Sequence, residues 1–232
     1  MPIIYRNYLL VFLIASFFLS CAAYKSEPTE YYLDETGKSI EGSTFMAKFH
    51  DSANPYAAWN YIAKDSGMVS EISHLKYETY LVSYEKFLLQ MEQLTGKNFY
   101  DNPTFILSYN FRDDYCTNDR PPNDYSKIRI NQRFNYLNPK IKTLKKEYRN
   151  TEFLKIFESG ISLPEFSEKQ RAYFFLDSTN FLREKVFRNP TLCGSYAIIK
   201  PNGQMLIRNG EYGLSGISNH LDPDIWNTFF DQ

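Results

Sequence analysis

The chain has 232 residues, of which 43% are hydrophobic and 17% aromatic, and this composition excludes an intrinsically disordered or collagen-like protein. With 26 basic and 27 acidic residues the net charge is -1, so no overall field favours nucleic acid or an anionic membrane surface. No segment repeats with a period of about 20 to 50 residues, which argues against a solenoid or a propeller.

The first twenty residues are typical of a secretion signal. Residues 1–20 carry one charged side chain, Arg6, and an apolar run from Tyr8 to Leu19. The run is about twelve residues long, whereas a spanning helix needs about twenty, so it predicts a cleaved signal peptide over 1–20 and not a permanent transmembrane segment.

Phe18-Leu19-Ser20-Cys21 resembles the lipobox of bacterial lipoproteins, in which the cysteine becomes the lipid-modified first residue after cleavage. The resemblance implies a membrane anchor through a lipid on Cys21, at about 0.8 kcal/mol per buried methylene of the acyl chains. In that family's sorting pattern Ala22 implies the outer membrane of a diderm bacterium. A plain signal peptide cleaved near Ala22 or Ala23 is the alternative. Residues 21–30 then form a lipidated tether.

Residues 31–72 predict an N-terminal extension rich in strands, ahead of a main domain over 73–232. A strand and turn fit residues 31–38, and a hairpin fits residues 59–72 with Lys64-Asp65-Ser66-Gly67 as its turn. The main domain then opens with an amphipathic helix, since apolar residues from Tyr84 to Leu94 recur at helical spacing between an N-cap at Ser83 and Gly96.

From residue 103 onward, strands and helices alternate. The pattern predicts strands at 104–111 and 151–158, a hairpin of 195–200 with 204–208, and helices at Asn138-Pro139, after Asp177-Ser178 and at Asp222-Pro223. An extra strand fits residues 171–176 but has no obvious place. The order is therefore β-α-β-α-β-β-α.

This order of elements, after an N-terminal helix, resembles the thioredoxin fold, in which helices cover both faces of a sheet of parallel and antiparallel strands. Tyr109 to Cys116 is similar to that family's first core strand running into the first active-site cysteine. Cys193-Gly194-Ser195 and the hairpin after it are similar to the segment that carries the family's cis-proline. The resemblance spans 103–232 and implies an α/β fold, with a thioredoxin-like central mixed sheet flanked by helices.

Two departures bear on activity. Thioredoxin-like oxidoreductases carry Cys-x-x-Cys, whereas Cys116-Thr117-Asn118-Asp119 has a carboxylate at the position of the second cysteine. Pro121-Pro122 predicts that the following helix starts late, so Cys116 lacks a helix N-terminus that would lower the pKa of its thiol. Gly194 replaces the cis-proline. Charges of both signs surround Cys116 in the sequence: Arg112, Asp113, Asp114, Asp119 and Arg120.

In the thioredoxin fold, the residue before the cis-proline lies against the active-site cysteine, and here that residue is Cys193. The resemblance therefore implies that Cys116 and Cys193 face each other and can form a disulfide, which persists outside the cytoplasm. A structural bridge, a cycling redox pair and two unpaired thiols all remain open.

The rest of the sequence offers little other chemistry. His50, His74 and His220 show no ligand spacing, so we expect no metal or other cofactor. A run of basic residues on the second helix is interpreted as a solvated face, and nucleic acid is not an expected partner. These residues are Lys140, Lys142, Lys145, Lys146 and Arg149.

The sequence favours a lipid-anchored extracytoplasmic domain without dithiol catalysis, a binding or accessory module of the cell envelope whose partner is another envelope protein. One alternative is a divergent thiol-disulfide oxidoreductase, with Cys116 as the nucleophile and Cys193 as the resolving thiol. A purely structural envelope lipoprotein is the other alternative.

Overall fold

The computed structural model describes residues 30–64, 67–116 and 123–230. The predicted signal peptide, Cys21 and tether residues 21–29 lie outside this range, as do residues 65–66 and 117–122. The described chain forms an α/β structure with two mixed sheets flanked by helices and a strand-rich N-terminal region, as predicted. Within the described ranges, no helix combines the length and the apolar character needed to cross a membrane.

The N-terminal region is a four-stranded sheet with one helix. Its strands are β1 (Tyr31–Leu33), β2 (Ser39–Ile40), β3 (Tyr56–Ala63) and β4 (Gly67–Leu75), in the order β2-β1-β4-β3. The predicted hairpin is confirmed as β3 and β4, although β4 runs past residue 72 to Leu75. Helix α1 (Gly42–His50) was not predicted, and it buries Phe45 against Ala58 and Ile72 of this sheet.

The second sheet has six strands and forms the centre of the molecule. They are β5 (Tyr77–Leu81), β6 (Thr104–Asn110), β7 (Thr151–Glu158), β8 (Phe174–Asp177), β9 (Ser195–Ile199) and β10 (Gln204–Asn209). The order is β5-β10-β9-β6-β7-β8, with β6, β7 and β8 parallel and with β9 antiparallel to both β6 and β10. Residues 105–109 of β6 are fully buried, which confirms the predicted central strand.

Helices cover both faces of the six-stranded sheet. They are α2 (Tyr84–Thr95), α3 (Lys127–Glu147), α4 (Glu168–Arg171), α5 (Phe181–Lys185), α6 (Leu214–Asn219) and α7 (Pro223–Phe230). Alternate residues of β6 face opposite ways, so Phe105 packs in a cluster with α2 and α5, while Ile106 packs in a cluster with α3, α6 and α7. The predicted caps of α2 are confirmed, because the Ser83 hydroxyl accepts a hydrogen bond from the Lys86 N–H and Gly96 is left-handed.

The predicted start of the second main helix was wrong. Helix α3 begins at Lys127, where the Ser126 side chain accepts a hydrogen bond from the Arg129 N–H, and Pro139 lies inside it. A proline within a helix costs a backbone hydrogen bond. Packing offsets that loss, since one apolar stripe on both sides of the proline is buried against the sheet: Ile130, Leu137, Ile141 and Leu144.

Four further elements were not predicted from the sequence: strands β2 and β5 and helices α4 and α6. The structure also gives a place to the extra strand. The extra strand fitted to residues 171–176 is β8, which starts at Phe174 and lies parallel to β7 at the edge of the sheet. Helix α5 begins later than its predicted cap, yet the Asp177 carboxylate does accept a hydrogen bond from the Arg183 N–H in its first turn.

Candidate functional site

Cys116 and Cys193, two of the three cysteines, lie close together at the end of the central strand. Cys116 follows β6 and Cys193 precedes β9, and because these strands are antiparallel neighbours their adjoining ends lie together. A disulfide joins Cys116 to Cys193, with a Cα–Cα distance of 4.9 Å. This is the pairing that the thioredoxin resemblance implied. Both cysteines are half-buried.

The backbone at Cys193 and Gly194 is left-handed, with φ of 68° and 79°. A Cβ atom at position 194 would lie 2.3 Å from the Tyr109 carbonyl oxygen at the end of β6. Only glycine therefore fits at position 194, which the thioredoxin resemblance aligns with the family's cis-proline. No cis peptide bond occurs in the described residues. The turn that carries Cys193 therefore differs from the cis-proline turn of thioredoxin-like proteins.

A buried carboxylate lies beneath the disulfide. The Oδ1 atom of Asp114 accepts hydrogen bonds from the Cys116 N–H at 3.0 Å and from the Cys193 N–H at 3.1 Å. Burial raises the pKa of Asp114 to about 6, although these amides, that of Gly194 and the charge of Lys155 act in the opposite direction. The carboxylate thus holds both cysteine-bearing segments from one side.

The other charges near Cys116 in the sequence do not converge on it. Asp113 is exposed, where it pairs with the Arg112 side chain at 3.2 Å and with the amide of Asn123 at 2.6 Å. The Arg112 N–H donates to Glu158 at 2.8 Å. Asp119, Arg120 and Pro121-Pro122 lie outside the described residues. The first described helix after Cys116 is α3, which starts at Lys127.

The disulfide forms part of the wall of a cavity of about 250 Å³. The cavity lies between α3, the segment after β10 and the face of the sheet that α3 covers. Six of the lining residues are aromatic or apolar: Tyr125, Tyr136, Leu137, Tyr196, Tyr212 and Leu214. The polar and charged residues of the lining are Ser108, Asn110, Asp114, Arg129, Arg133, Lys155 and Glu211.

A lysine is buried at the floor of this cavity. Lys155 is central in β7, only 6% exposed, and its Nζ atom donates to the Ser108 hydroxyl at 2.8 Å. The strand register pairs Lys155 with Ser108 and Ser108 with Tyr196, so the three side chains lie in one row across β7, β6 and β9. Burial lowers the pKa of Lys155 well below its usual range; nearby Arg133 adds to the effect and Asp114 opposes it.

Helix α3 contributes two arginines above the lysine. The guanidinium groups of Arg129 and Arg133 lie 5.2 and 5.6 Å from the ring centre of Tyr125, a distance at which cation–π attraction operates. Neither guanidinium forms an ion pair with another of the described residues. The three basic groups share the cavity with two acidic residues, Asp114 and the exposed Glu211. The Oδ1 atom of Asp114 already accepts hydrogen bonds from two backbone amides.

The structure leaves the other candidate residues apart. His50 ends α1, His74 lies in β4, and His220 follows α6 among aromatic rings. Among the described residues, no group of three or more histidine, cysteine or acidic side chains could hold a metal ion. On the basic stretch of α3, Lys145 pairs with Glu152 at 2.8 Å.

Sequence reasoning identified the cysteines but not the cavity around them. One signal was available, because Lys155 interrupts the apolar run Phe153-Leu154-Lys155-Ile156-Phe157 of a buried strand. A lysine in such a run is either paired or functional, since an unpaired buried charge is costly. Arg129 and Arg133 gave no comparable signal, as exposed arginines are common on helices.

The chain was also compared with known proteins. Comparisons with protein-family models, with curated proteins and with solved structures produced no match. Function is therefore inferred from the geometry of the site and from the sequence.

Proposed function

We propose that the chain is a thioredoxin-like binding module of the bacterial cell envelope, in which the Cys116–Cys193 disulfide is structural. The order β7-β6-β9-β10, with β6 and β7 parallel and β9 and β10 antiparallel, supports the thioredoxin resemblance. Helices α3 and α5 lie between these strands and α7 follows them, as in the predicted order, while α4, β8 and α6 are additional elements.

The position of Asp114 is the observation that carries this proposal. A catalytic dithiol needs one cysteine whose thiolate is stabilised, usually by a helix N-terminus or a neighbouring cation. Here a buried carboxylate is bonded to the backbone of both cysteines, and a carboxylate raises the pKa of a neighbouring thiol. This carboxylate therefore favours a stable bridge over rapid exchange.

The membrane attachment is part of the same proposal and is supported by the sequence. Cys21 stands at the end of a lipobox-like segment, and residues 21–30 are long enough to hold a folded domain clear of the bilayer surface. We expect the lipid on Cys21 to place the domain on the outer membrane of a diderm bacterium, where a disulfide persists. Mass spectrometry of the N-terminal peptide tests this attachment, and Cys21→Ser should release the protein from membranes.

The second candidate function is thiol-disulfide exchange, which the location of the bond favours, since the disulfide lines a cavity and both cysteines are half-buried. In that reaction the reduced Cys116 thiolate attacks a substrate disulfide and one substrate sulfur leaves as a thiolate. Cys193 then displaces the second substrate sulfur, so that the substrate is reduced and the domain is oxidised.

An insulin-reduction assay with dithiothreitol as the electron donor separates the two functions. We expect the wild-type protein and Cys116→Ser to give the same background rate, with a lower unfolding temperature for the variant because the bridge is lost. Activity in the wild type that disappears in Cys116→Ser would instead identify the protein as an oxidoreductase. A ligand bound by the domain distinguishes a binding module from a purely structural envelope lipoprotein.

A further inference from the structure

The cavity beside the disulfide contains a row of polar groups that the structural role of the bond does not require. Lys155, Ser108 and Tyr196 lie side by side on three adjacent strands, on the face covered by α3. The ammonium group of lysine has three donors, and the Ser108 hydroxyl takes one of them. No other described residue accepts from this group, so spare donors remain on a residue that is only 6% exposed.

Positive charge in this cavity exceeds the negative charge available to balance it. Arg133 lies close enough to Lys155 for the two like charges to repel each other. Asp114 is the nearest acid, but its Oδ1 atom is already committed to the amides of Cys116 and Cys193. Glu211 is exposed and has no ion-pair partner among the described residues. An anion between Lys155 and Arg133 would relieve their repulsion.

The rest of the cavity wall indicates which chemical group would be attached to such an anion. Four tyrosine rings and two leucines line the cavity beside its polar groups, and apolar surface together with convergent polar groups is typical of small-molecule sites. The volume of about 250 Å³ exceeds the roughly 150 Å³ of a cavity that holds benzene. A single aromatic ring with one charged substituent therefore fits the space.

We propose that this cavity binds a small organic carboxylate with an aromatic or similarly apolar body. Its carboxylate lies between Lys155 and Arg133, with the hydroxyls of Ser108 and Tyr196 as further donors. Its body packs against the tyrosine rings. Arg129 stands at the rim and adds to the attraction. The inference rests on the proposed binding function, for which it names the ligand class.

Isothermal titration calorimetry on the oxidised protein tests the ligand class with three probes. Benzoate has the charge and the ring, benzamide has the ring without the charge, and sulfate has charge without an apolar body. We expect benzoate to bind and benzamide to bind at least tenfold more weakly, since charge-assisted hydrogen bonds are about twice as strong as neutral ones. Equal binding of benzoate and benzamide, or sulfate binding as tightly as benzoate, would overturn the proposal.

Substitutions locate the site. Arg133→Gln removes one half-buried charge and should weaken benzoate binding about tenfold or more. Lys142→Gln removes a charge from the same helix at a position that does not line the cavity, so it should leave the affinity unchanged. Lys155→Met should abolish binding while circular dichroism remains that of the wild type. Unchanged affinity in Arg133→Gln, or an equal loss in Lys142→Gln, would contradict the assignment.

The failure of this inference can be told from the failure of the proposed function. If benzoate does not bind and insulin is not reduced, the ligand assignment is wrong, while the structural role of the disulfide is retained. If benzoate binds and Cys116-dependent reduction is also observed, the ligand assignment is retained and the disulfide is catalytic.

Discussion

The carboxylate of Asp114 accepts a hydrogen bond from the backbone N–H of Cys193 at 3.1 Å, across a sequence separation of 79 residues. The same oxygen accepts from the N–H of Cys116, so the hydrogen bonds and the disulfide connect the same two segments. The covalent bond alone would leave each segment free to rotate about it. With the carboxylate added, the turn before β9 is fixed against the loop after β6, and together they form one wall of the cavity.

Reduction of the disulfide should lower the free energy of unfolding. The two cysteines are 77 residues apart, and closing a loop of that length removes chain entropy worth up to about 4.5 kcal/mol from the unfolded state. Urea unfolding of the oxidised and the reduced wild-type protein measures the difference. The Cys116→Ala/Cys193→Ala double variant is the control, since reductant should not change its midpoint. Equal midpoints for the oxidised and the reduced wild type would contradict a stabilising bridge.

Gly194→Ala should be severely destabilising. The new Cβ atom would lie 2.3 Å from the Tyr109 carbonyl oxygen, and the left-handed backbone adds strain, so we expect a loss of about 3 kcal/mol or more. Gly37→Ala is a matched control because Gly37 has a φ of 77° and nothing within 4 Å of the added atom. That variant should lose only about 1 kcal/mol. Similar unfolding midpoints for the two variants would argue against the close approach at position 194.

The pH dependence of stability should report the buried state of Asp114. Burial raises its pKa from 3.8 to about 6, so the folded state binds the proton more tightly than the unfolded state does. The contribution of this group is therefore fully present below about pH 4 and is lost as the pH rises through about 6, a change of about 3 kcal/mol.

Asp114→Asn isolates this effect because the amide keeps an oxygen that accepts from both cysteine N–H groups. Urea unfolding of both proteins from pH 4 to pH 7 should show a steeper fall in stability for the wild type. The difference between the two curves removes the contribution of other carboxylates. Parallel curves would show that Asp114 titrates normally.

Lys155→Met should raise the free energy of unfolding at neutral pH, by about 1 to 2 kcal/mol. The lysine is buried without an ion pair in the described chain, and methionine fills similar space without a desolvation cost. Thermal unfolding of the two proteins in the absence of ligand gives the comparison, with Lys142→Gln as an exposed control on α3. A large loss of stability in Lys155→Met would mean that the amine stabilises the fold itself.

Much of the fold could be predicted where local signals and packing agree. Helix α2 is flanked in the sequence by a typical N-cap residue and a typical C-cap residue, and β6 is a nearly continuous apolar run. The two elements were therefore predicted correctly. The start of α3 was wrong because Asn138-Pro139 is a typical helix start, whereas the buried stripe from Ile130 to Leu144 decides the actual length. Strand β5 was missed because it is a short edge strand, of which no residue is fully buried.

The site was only partly accessible from sequence for a similar reason. The pairing of Cys116 with Cys193 followed from a resemblance between segments, because the order of the flanking strands brings their ends together. The row formed by Lys155, Ser108 and Tyr196 depends on the register of three strands, which sequence alone does not fix. Burial of Asp114 likewise depends on how the loop after β6 folds back.

The disulfide also divides the chain mechanically. Its two cysteines are 77 positions apart, with α3, β7 and β8 between them. Tension applied at the two ends of the protein passes through the sulfur–sulfur bond and bypasses this loop. At about 3.5 Å per extended residue, roughly 270 Å of contour length stays hidden from a stretching force until the bond is reduced. The α3 wall of the cavity therefore belongs to a part of the molecule that pulling cannot extend.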